Sequence, residues 1–261
     1  MKRILLLPTA VLMIILAAIP ALKAQERTVS LADETLTYDV IYKWGFINKV
    51  AGYATMSLRN DGPYYRASVI AENAPWANSI YMLRDTLYST MTRDHFYPVS
   101  YTFIAHENGK YKKDVLSFSH TGDTFSAKAV RYKKPKNGGP MTHSTIELEA
   151  KGMTVDMLSS FFYLRSLDFD AMAGGTGKTV NIFSGSKKEK LKITYLGRQK
   201  VTVNGREFDT YYINFTFTRN GVESSAPIKG WITTDQRRIP LKVEGKLPVG
   251  KVRALYTGPN P

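Results

Sequence analysis

The chain has 261 residues, with 36 lysines and arginines against 22 acids, a formal charge of +14 and no cysteine. The missing cysteine excludes disulfides, thiolate zinc sites and cysteine nucleophiles together. A positive field of this size favours anionic partners such as lipid head groups, acidic glycans or nucleic acid.

The first 24 residues read as a secretory signal. Lys2 and Arg3 form the basic start, Ile4 to Ile19 is apolar apart from Pro8 and Thr9, and Ala21-Leu22-Lys23-Ala24 is a cleavage region. The apolar run is shorter than the roughly 20 residues a spanning helix needs. No cysteine follows it, so a lipidated N-terminus is excluded. The expectation is a single β domain over 25–261, exported to the periplasm and not spanning a membrane once the signal is cut. The leader holds Lys2, Arg3 and Lys23 and no acid, so the remainder carries +11, three fewer than the whole chain. Export makes nucleic acid the least favoured anionic partner.

Period-two alternation, the mark of half-buried strands, dominates the rest of the chain. Leu36, Tyr38, Val40, Tyr42 and Trp44 share one phase; Thr37, Asp39 and Lys43 take the other. The rhythm returns at Val99 to Ala105, at Leu191 to Tyr195 and most clearly at Tyr211, Ile213, Phe215 and Phe217. Turn signals separate the runs: Asn60-Asp61-Gly62-Pro63, Asn108-Gly109, Thr121-Gly122-Asp123, Asn204-Gly205 and Asn220-Gly221. Asn-Gly suits tight hairpins, whose central residues need positive φ. The pattern predicts an all-β, mainly antiparallel meander, curved, barrel-like or half-barrel. Aromatics on the strand phases serve either its core or a lined cavity.

Two segments depart from the rhythm. Pro75 to Leu83 is loop-like or weakly helical, and its Trp76 is the aromatic residue expected to be exposed. Residues 154–168 have helical spacing through Leu158, Phe161, Phe162 and Arg165, with Thr154 as expected cap and Asp156 in the first turn. This predicts one helix near 154–168 packed on the sheet. Residues 131–140, basic and rich in turn formers, are expected to be the exposed tip of a hairpin.

The stretch Gly174-Gly175-Thr176-Gly177-Lys178-Thr179 has the spelling of a nucleotide phosphate loop. The full motif needs a glycine where Met172 stands, with a strand before it and a helix after it. Here a helix precedes and β-branched residues come after, so the glycines read as a helix stop and Lys178-Thr179 as a strand start. No nucleotide partner is expected.

Catalytic signals are sparse. The four histidines, His95, His106, His120 and His143, have no metal-pair spacing, and no Gly-x-Ser-x-Gly elbow occurs. No metal or cofactor is expected. Glu72, Asp85, Glu107 and Asp235 lie in or beside apolar runs, where acids more often pair with arginine than act as catalysts. Arg84 is the expected partner of Asp85, and Arg237-Arg238 of Asp235.

Three blocks in order, "ETLTYDVIYKWGFINKVAGYATMSL" at 34–58, "DMLSSFFYLRSLDF" at 156–169 and "GWITTDQRRIPLKVEGKLPVGKVRALY" at 230–256, resemble the bacterial family known as domain of unknown function 3108. The resemblance implies an exported antiparallel β-protein of Gram-negative bacteria with a curved or barrel-like sheet. It implies no activity and supplies no catalytic residues.

Taken together, these features point to a non-enzymatic periplasmic binder of an amphipathic or anionic envelope component, a lipid or glycan. Trp44, Trp76, Arg84, Arg165, Trp231 and Arg238 are the candidate ligand-binding residues, with Arg165 and Arg238 also candidates for a buried network. The alternatives are an envelope hydrolase with a distributed carboxylate pair, and an assembly factor acting through a protein interface. An outer-membrane barrel fits poorly, because charges and a helix interrupt the strands.

Overall fold

The computed structural model describes residues 30–223, 226–247 and 249–259; the expected signal, 1–24, lies outside them. From Glu34 the chain forms eight long strands in succession. These are β1 Glu34–Trp44, β2 Ile47–Asp61, β3 Tyr64–Asn73, β4 Leu83–Thr92, β5 Pro98–Glu107, β6 Lys110–Thr121, β7 Thr124–Lys134 and β8 Thr142–Lys151. A three-residue strand β9, Thr154–Asp156, leads into the helix α1, Ser159–Ser166. The rest is β10 Gly177–Ser184, β11 Lys187–Val203, β12 Arg206–Arg219, β13 Val222–Glu223, β14 Ile228–Thr233, β15 Pro240–Lys246 and β16 Lys251–Tyr256.

The turns form where the sequence signals place them. Asn108-Gly109, Asn204-Gly205 and Asn220-Gly221 all have positive φ at both residues, the two-residue hairpin geometry that Asn-Gly favours. Neighbouring strands therefore pair antiparallel, and β1 also pairs with β16 near the far end of the chain. The sheet order is β8-β7-β6-β5-β4-β3-β2-β1-β16-β15-β14-β12-β11-β10-β9, with β13 attached to β12. Only β9 on β10 is parallel among these ladders.

This path curls into a nearly closed barrel whose seam lies between β8 and β9. Side chains stitch the seam where no ladder does. The buried amide of Asn181 on β10 lies 2.9–3.2 Å from the carbonyl oxygens of Lys151, Gly152 and Met153. Lys188 on β11 donates to the Glu149 carbonyl at 3.0 Å.

One phase of each strand faces inward. Leu58, Ala67, Tyr65, Met91, Tyr101, Leu116, Ala129 and Leu148 meet there with Phe162, Phe169, Ile182, Phe183 and Tyr211 in one buried cluster. Phe118 and Phe183 stack at 6.0 Å from opposite sides of the seam.

The helix is shorter than its periodicity predicts. Thr154 does not cap it: Thr154 belongs to β9, and its hydroxyl donates to the Gly152 carbonyl at 2.9 Å. The capping residue is Asp156, whose Oδ1 accepts the N–H groups of Leu158 and Ser159, each at 2.7 Å. Ser159 Oγ in turn accepts the Asp156 N–H at 2.8 Å, a reciprocal cap. The other Asp156 oxygen accepts the Ser89 hydroxyl at 2.7 Å, which ties the helix start to β4 across the interior. Burial pushes the Asp156 carboxyl up to about 6 despite these donors.

Nor do the glycines stop the helix. It ends at Ser166, and a 3-10 turn, Phe169–Ala171, intervenes before Gly174 to Gly177 lead into β10. The stop is instead made by a distant arginine: Arg238 donates from its guanidinium to the Leu167 carbonyl.

Antiparallel order sends the turns to two ends. The β2–β3, β4–β5, β6–β7, β11–β12 and β14–β15 turns share one end, which is closed. Leu36, Tyr38, Val203, Ile239, Leu241 and Tyr256 pack there as a second cluster. The β1–β2, β3–β4, β5–β6, β7–β8, β10–β11 and β15–β16 turns share the other end, which is open. Helix α1 lies between, running from mid-barrel toward the closed end.

Candidate functional site

The inward phase that is packed solid at the closed end loosens toward the open one. Beneath α1 lies an apolar compartment of about 290 Å³ lined by Tyr38, Met56, Phe161, Ile193, Phe215 and Val243 among others. Phe161 on α1 and Met157 just before it both face this compartment. One inward step along the strands, at Val40, Gly52 and Val252, opens a mouth compartment of about 500 Å³, walled by Trp76, Ile80 and Tyr81.

A third compartment of about 400 Å³ shares Met157 with the apolar one but has a different wall. Lys112, Asp114, Arg131, Lys133 and Lys187 converge there beside Tyr101 and Phe103. Register explains the convergence. Asp114 sits opposite both Phe103 on β5 and Arg131 on β7, so all three side chains share the inward face. Arg131 grips the Asp114 carboxylate with two bonds, 2.6 and 2.9 Å, and Lys112 approaches it at 3.0 Å. Burial alone would raise this carboxyl, but the bonds from Arg131 and Lys112 hold it below its ordinary value.

Four cations thus face one carboxylate. The site keeps net positive charge on a wall that is otherwise largely apolar, with Leu87, Tyr101, Phe103 and Met157. Lys112 also lies 4.8 Å from the Phe103 ring centre, within cation–π range. Gly185 at the β10–β11 turn has φ +65, and a Cβ there would fall 2.3 Å from Asp114 Oδ2. Only glycine lets that turn close over the cluster. A fourth compartment, about 670 Å³, continues outward past Phe103, Lys110, Lys112, Lys133 and Lys134.

Two buried polar atoms on this interior, the Tyr38 hydroxyl oxygen and Asp85 Oδ1, have no hydrogen-bond partner within the protein. Burial pushes the Tyr38 phenol well above its ordinary value. Burial, with Glu107 nearby, raises the Asp85 carboxyl to about 6.

The six residues singled out from sequence fall in four places. Trp76 lines the mouth, half-buried, its indole N–H donating to the Val50 carbonyl at 2.7 Å. Trp44 is exposed at the tip of β1. Arg84 projects outside the barrel, and Trp231 lies buried on the outer face, stacked on Tyr212 and roofed by Lys242 at 4.0 Å.

Arg165 and Arg238 form a network at the closed end. Fully buried Arg165 pairs with Glu34 at the start of β1 and donates to the carbonyls of Arg237 at 2.7 Å and Arg238 at 3.1 Å. Arg238, in the positive-φ region, caps α1 and faces the rings of Phe169 and Tyr211. Their role there is to pin the helix end.

The expected acid–base pairings are corrected. Arg84 and Asp85 are neighbours on one strand and point to opposite faces, so Arg84 meets Glu72 across the ladder at 3.9 Å and Asp85 turns inward. Asp235 accepts the Thr233 hydroxyl at 2.6 Å and the Arg238 backbone N–H at 3.0 Å, making a turn instead of an ion pair. Among the described residues no group of three or more His, Asp or Glu is placed to hold a metal ion.

Sequence reasoning does not pick out Lys112, Asp114, Arg131 or Lys133. It places Arg131 in the exposed 131–140 tip, whereas β7 extends through Lys134 and turns Arg131 inward. A signal is present: Asp114, Leu116 and Phe118 alternate in one phase, which puts an acid on an apolar face and demands a cation opposite.

Residues 37–257 match the family described as Protein of unknown function (DUF3108), and the chain belongs to it. Among solved structures it is similar to a β-barrel-like protein of domain of unknown function DUF1849 from Brucella abortus, at 11% identity and TM-score 0.59, covering 88% of this chain and 97% of that one. A Bacteroides fragilis protein with a YmcC-like fold aligns over 88% of this chain and 99% of its own at 7% identity and TM-score 0.30. The first likeness concerns the fold alone. No curated protein gives a significant match.

Proposed function

We propose that this member of the DUF3108 family is a non-enzymatic periplasmic protein that binds an amphipathic, anionic component of the cell envelope in the open end of its barrel. One observation carries the reading. An apolar compartment and a cationic one meet at Met157 inside the same barrel. A ligand with an apolar chain and an anionic head group fits that junction; a glycan would leave the apolar half unmatched. Lipid is therefore favoured over glycan. The compartments have the size of small-molecule sites, about 300–1,000 Å³. The unpartnered Tyr38 hydroxyl and Asp85 oxygen add polar groups that a ligand atom can satisfy.

The test is native mass spectrometry of protein purified gently from its own compartment, beside the same protein refolded from denaturant. An added mass of lipid size, lost on refolding and absent from an Ala54→Trp variant that fills the apolar compartment, is the expected result. A bare mass in every sample, with no uptake of an anionic acyl probe by the refolded protein, would overturn the reading.

Asp85 and Glu107 support a second reading as a hydrolase, since a carboxyl raised to about 6 beside another acid is the pairing acid–base catalysis uses. Tyr81 already donates to Glu107 at 2.7 Å. Asp85→Asn separates the two: a binder keeps its ligand, whereas a hydrolase loses turnover and accumulates uncleaved substrate.

A further inference from the structure

The open end carries exposed apolar side chains on three neighbouring segments that form one side of the opening. Phe46 at the β1–β2 tip is fully exposed, with Trp44 and Ile47 beside it. Ile80, Tyr81 and Met82 lie exposed between the 3-10 turn at Pro75–Ser79 and β4, and Leu247 and Val249 at the β15–β16 turn. Single exposed hydrophobic residues are ordinary, but a contiguous set beside a cavity mouth is not.

The three segments are bound to one another. Tyr42 donates to the Val249 carbonyl at 3.0 Å, and Trp76 to the Val50 carbonyl at 2.7 Å. Tyr42, Trp76, Ile80, Tyr81 and Leu247 all line the mouth compartment, so the rim and the cavity are continuous.

The three segments themselves carry charge of one sign, although Glu107 at the β5–β6 turn accepts the Tyr81 hydroxyl and Glu72 and Asp85 line the mouth. Residues 40–51, 75–83 and 245–252 contain Lys43, Lys49, Lys246 and Lys251 and no acid. Lys251 has Glu244 at 3.5 Å, and Lys49 lies 4.7 Å from the Trp76 ring centre. At the closed end four turns each hold an aspartate, at Asp61, Asp94, Asp123 and Asp235. Those turns hold arginine at 93, 237 and 238 but no lysine, and Tyr64 is the exposed large aromatic beside them, so lysine clustered with several exposed aromatics marks the open rim.

We infer that the open rim docks on an anionic lipid bilayer, with Phe46, Ile80 and Val249 entering the head-group layer and the lysines lying on its surface; this rests on the lipid-binding reading above. Trp, Tyr and Phe beside lysine are the composition of membrane-interfacial surfaces, because the rings bury an apolar body while the cations meet anionic head groups. A second copy is a poor occupant, since a two-fold pairing of these tips would set lysine against lysine. Docked this way, the mouth opens onto the layer from which an amphipathic ligand is taken or to which it is given.

The test is flotation of the exported protein with vesicles of phosphatidylcholine alone and of phosphatidylcholine mixed with phosphatidylglycerol, alongside binding of a soluble fluorescent acyl probe. Association with the mixed vesicles alone is expected. Each Lys→Gln at 43, 49 or 246 should weaken it about fivefold, and Phe46→Asp about tenfold or more. The probe should bind these variants as it binds the native protein, because none of the altered side chains lines the apolar compartment. Flotation that is equal on both vesicles, or unchanged by Phe46→Asp, overturns the docking proposal. So does a Phe46→Asp variant that only converts a dimer to a monomer. Probe binding without flotation removes the docking and leaves the lipid-binding reading standing. Rim-dependent flotation without probe binding sustains the docking and removes that reading.

Discussion

The two ends of this barrel are built from the same strands and differ in what their inward phase does. At the closed end the buried cations are matched: Arg165 has Glu34 and two carbonyls around it, and Arg238 has the Leu167 carbonyl. At the open end the same phase carries Lys112, Arg131 and Lys133 around the Asp114 carboxylate, and Asp85 Oδ1 has no partner. Satisfied burial gives stability; incomplete satisfaction around a void gives a place for a ligand. Mutations at the two ends should accordingly separate into those that unfold the protein and those that change what it holds.

The largest effect is expected at the closed end. Arg165→Ala leaves Glu34 buried without its cation and frees the end of α1, at a cost of about 3–5 kcal/mol in urea denaturation. If that variant were nearly as stable as the native protein, the closed end would not be the stabilising one. The next concerns pH. Asp156, raised to about 6 by burial, binds its proton more tightly folded than unfolded, where a carboxyl titrates near about 3.9. That stabilisation is complete below the lower value and is lost as pH rises through about 6. Tm should therefore fall over this window, and Asp156→Asn, which keeps the acceptor for Leu158 and Ser159, should flatten the fall by about 2–3 kcal/mol. An unaltered profile in that variant would place the titration elsewhere.

Smaller effects on stability are expected around the cavities. Ala54→Trp should abolish acyl-probe binding while shifting stability by about 1–3 kcal/mol. Lys133→Gln should stay within about 0.5 kcal/mol of native stability and weaken binding of an anionic probe several-fold, with no change for a neutral one. Equal weakening for both probes would show that the cationic wall does not read charge.

The fold was legible in the sequence where the physics is local. Alternation from Leu36 to Trp44 and from Tyr211 to Phe217, punctuated by Asn-Gly, predicts antiparallel hairpins, because side-chain period and turn φ are set by a few adjacent residues. The helix was legible as an element but not in its limits. Thr154 has the right chemistry for a cap, yet three residues pairing in parallel with β10 take it into the sheet, and that pairing partner lies 27 positions away. The glycines of 174–177 look like a helix stop for the same local reason. The actual stop comes from Arg238, 71 residues further on.

The site was less legible than the fold. Arg84 beside Asp85 suggests an ion pair only if strand geometry is set aside, since adjacent strand residues face opposite ways. The inward acid at Asp114 could have been read from its phase with Leu116 and Phe118. Its partner Arg131 could not, because the length of β7 had to be known first.

By itself the sequence determined the strand meander, a helix within 154–168, the excess of positive charge and the absence of cysteine chemistry. Those are properties of adjacent residues and of sums over the chain. Tertiary structure alone decided which end of the barrel closes, which arginines hold the helix and which cations face the void. Each of those depends on strand register across the sheet, where residues far apart in sequence become neighbours.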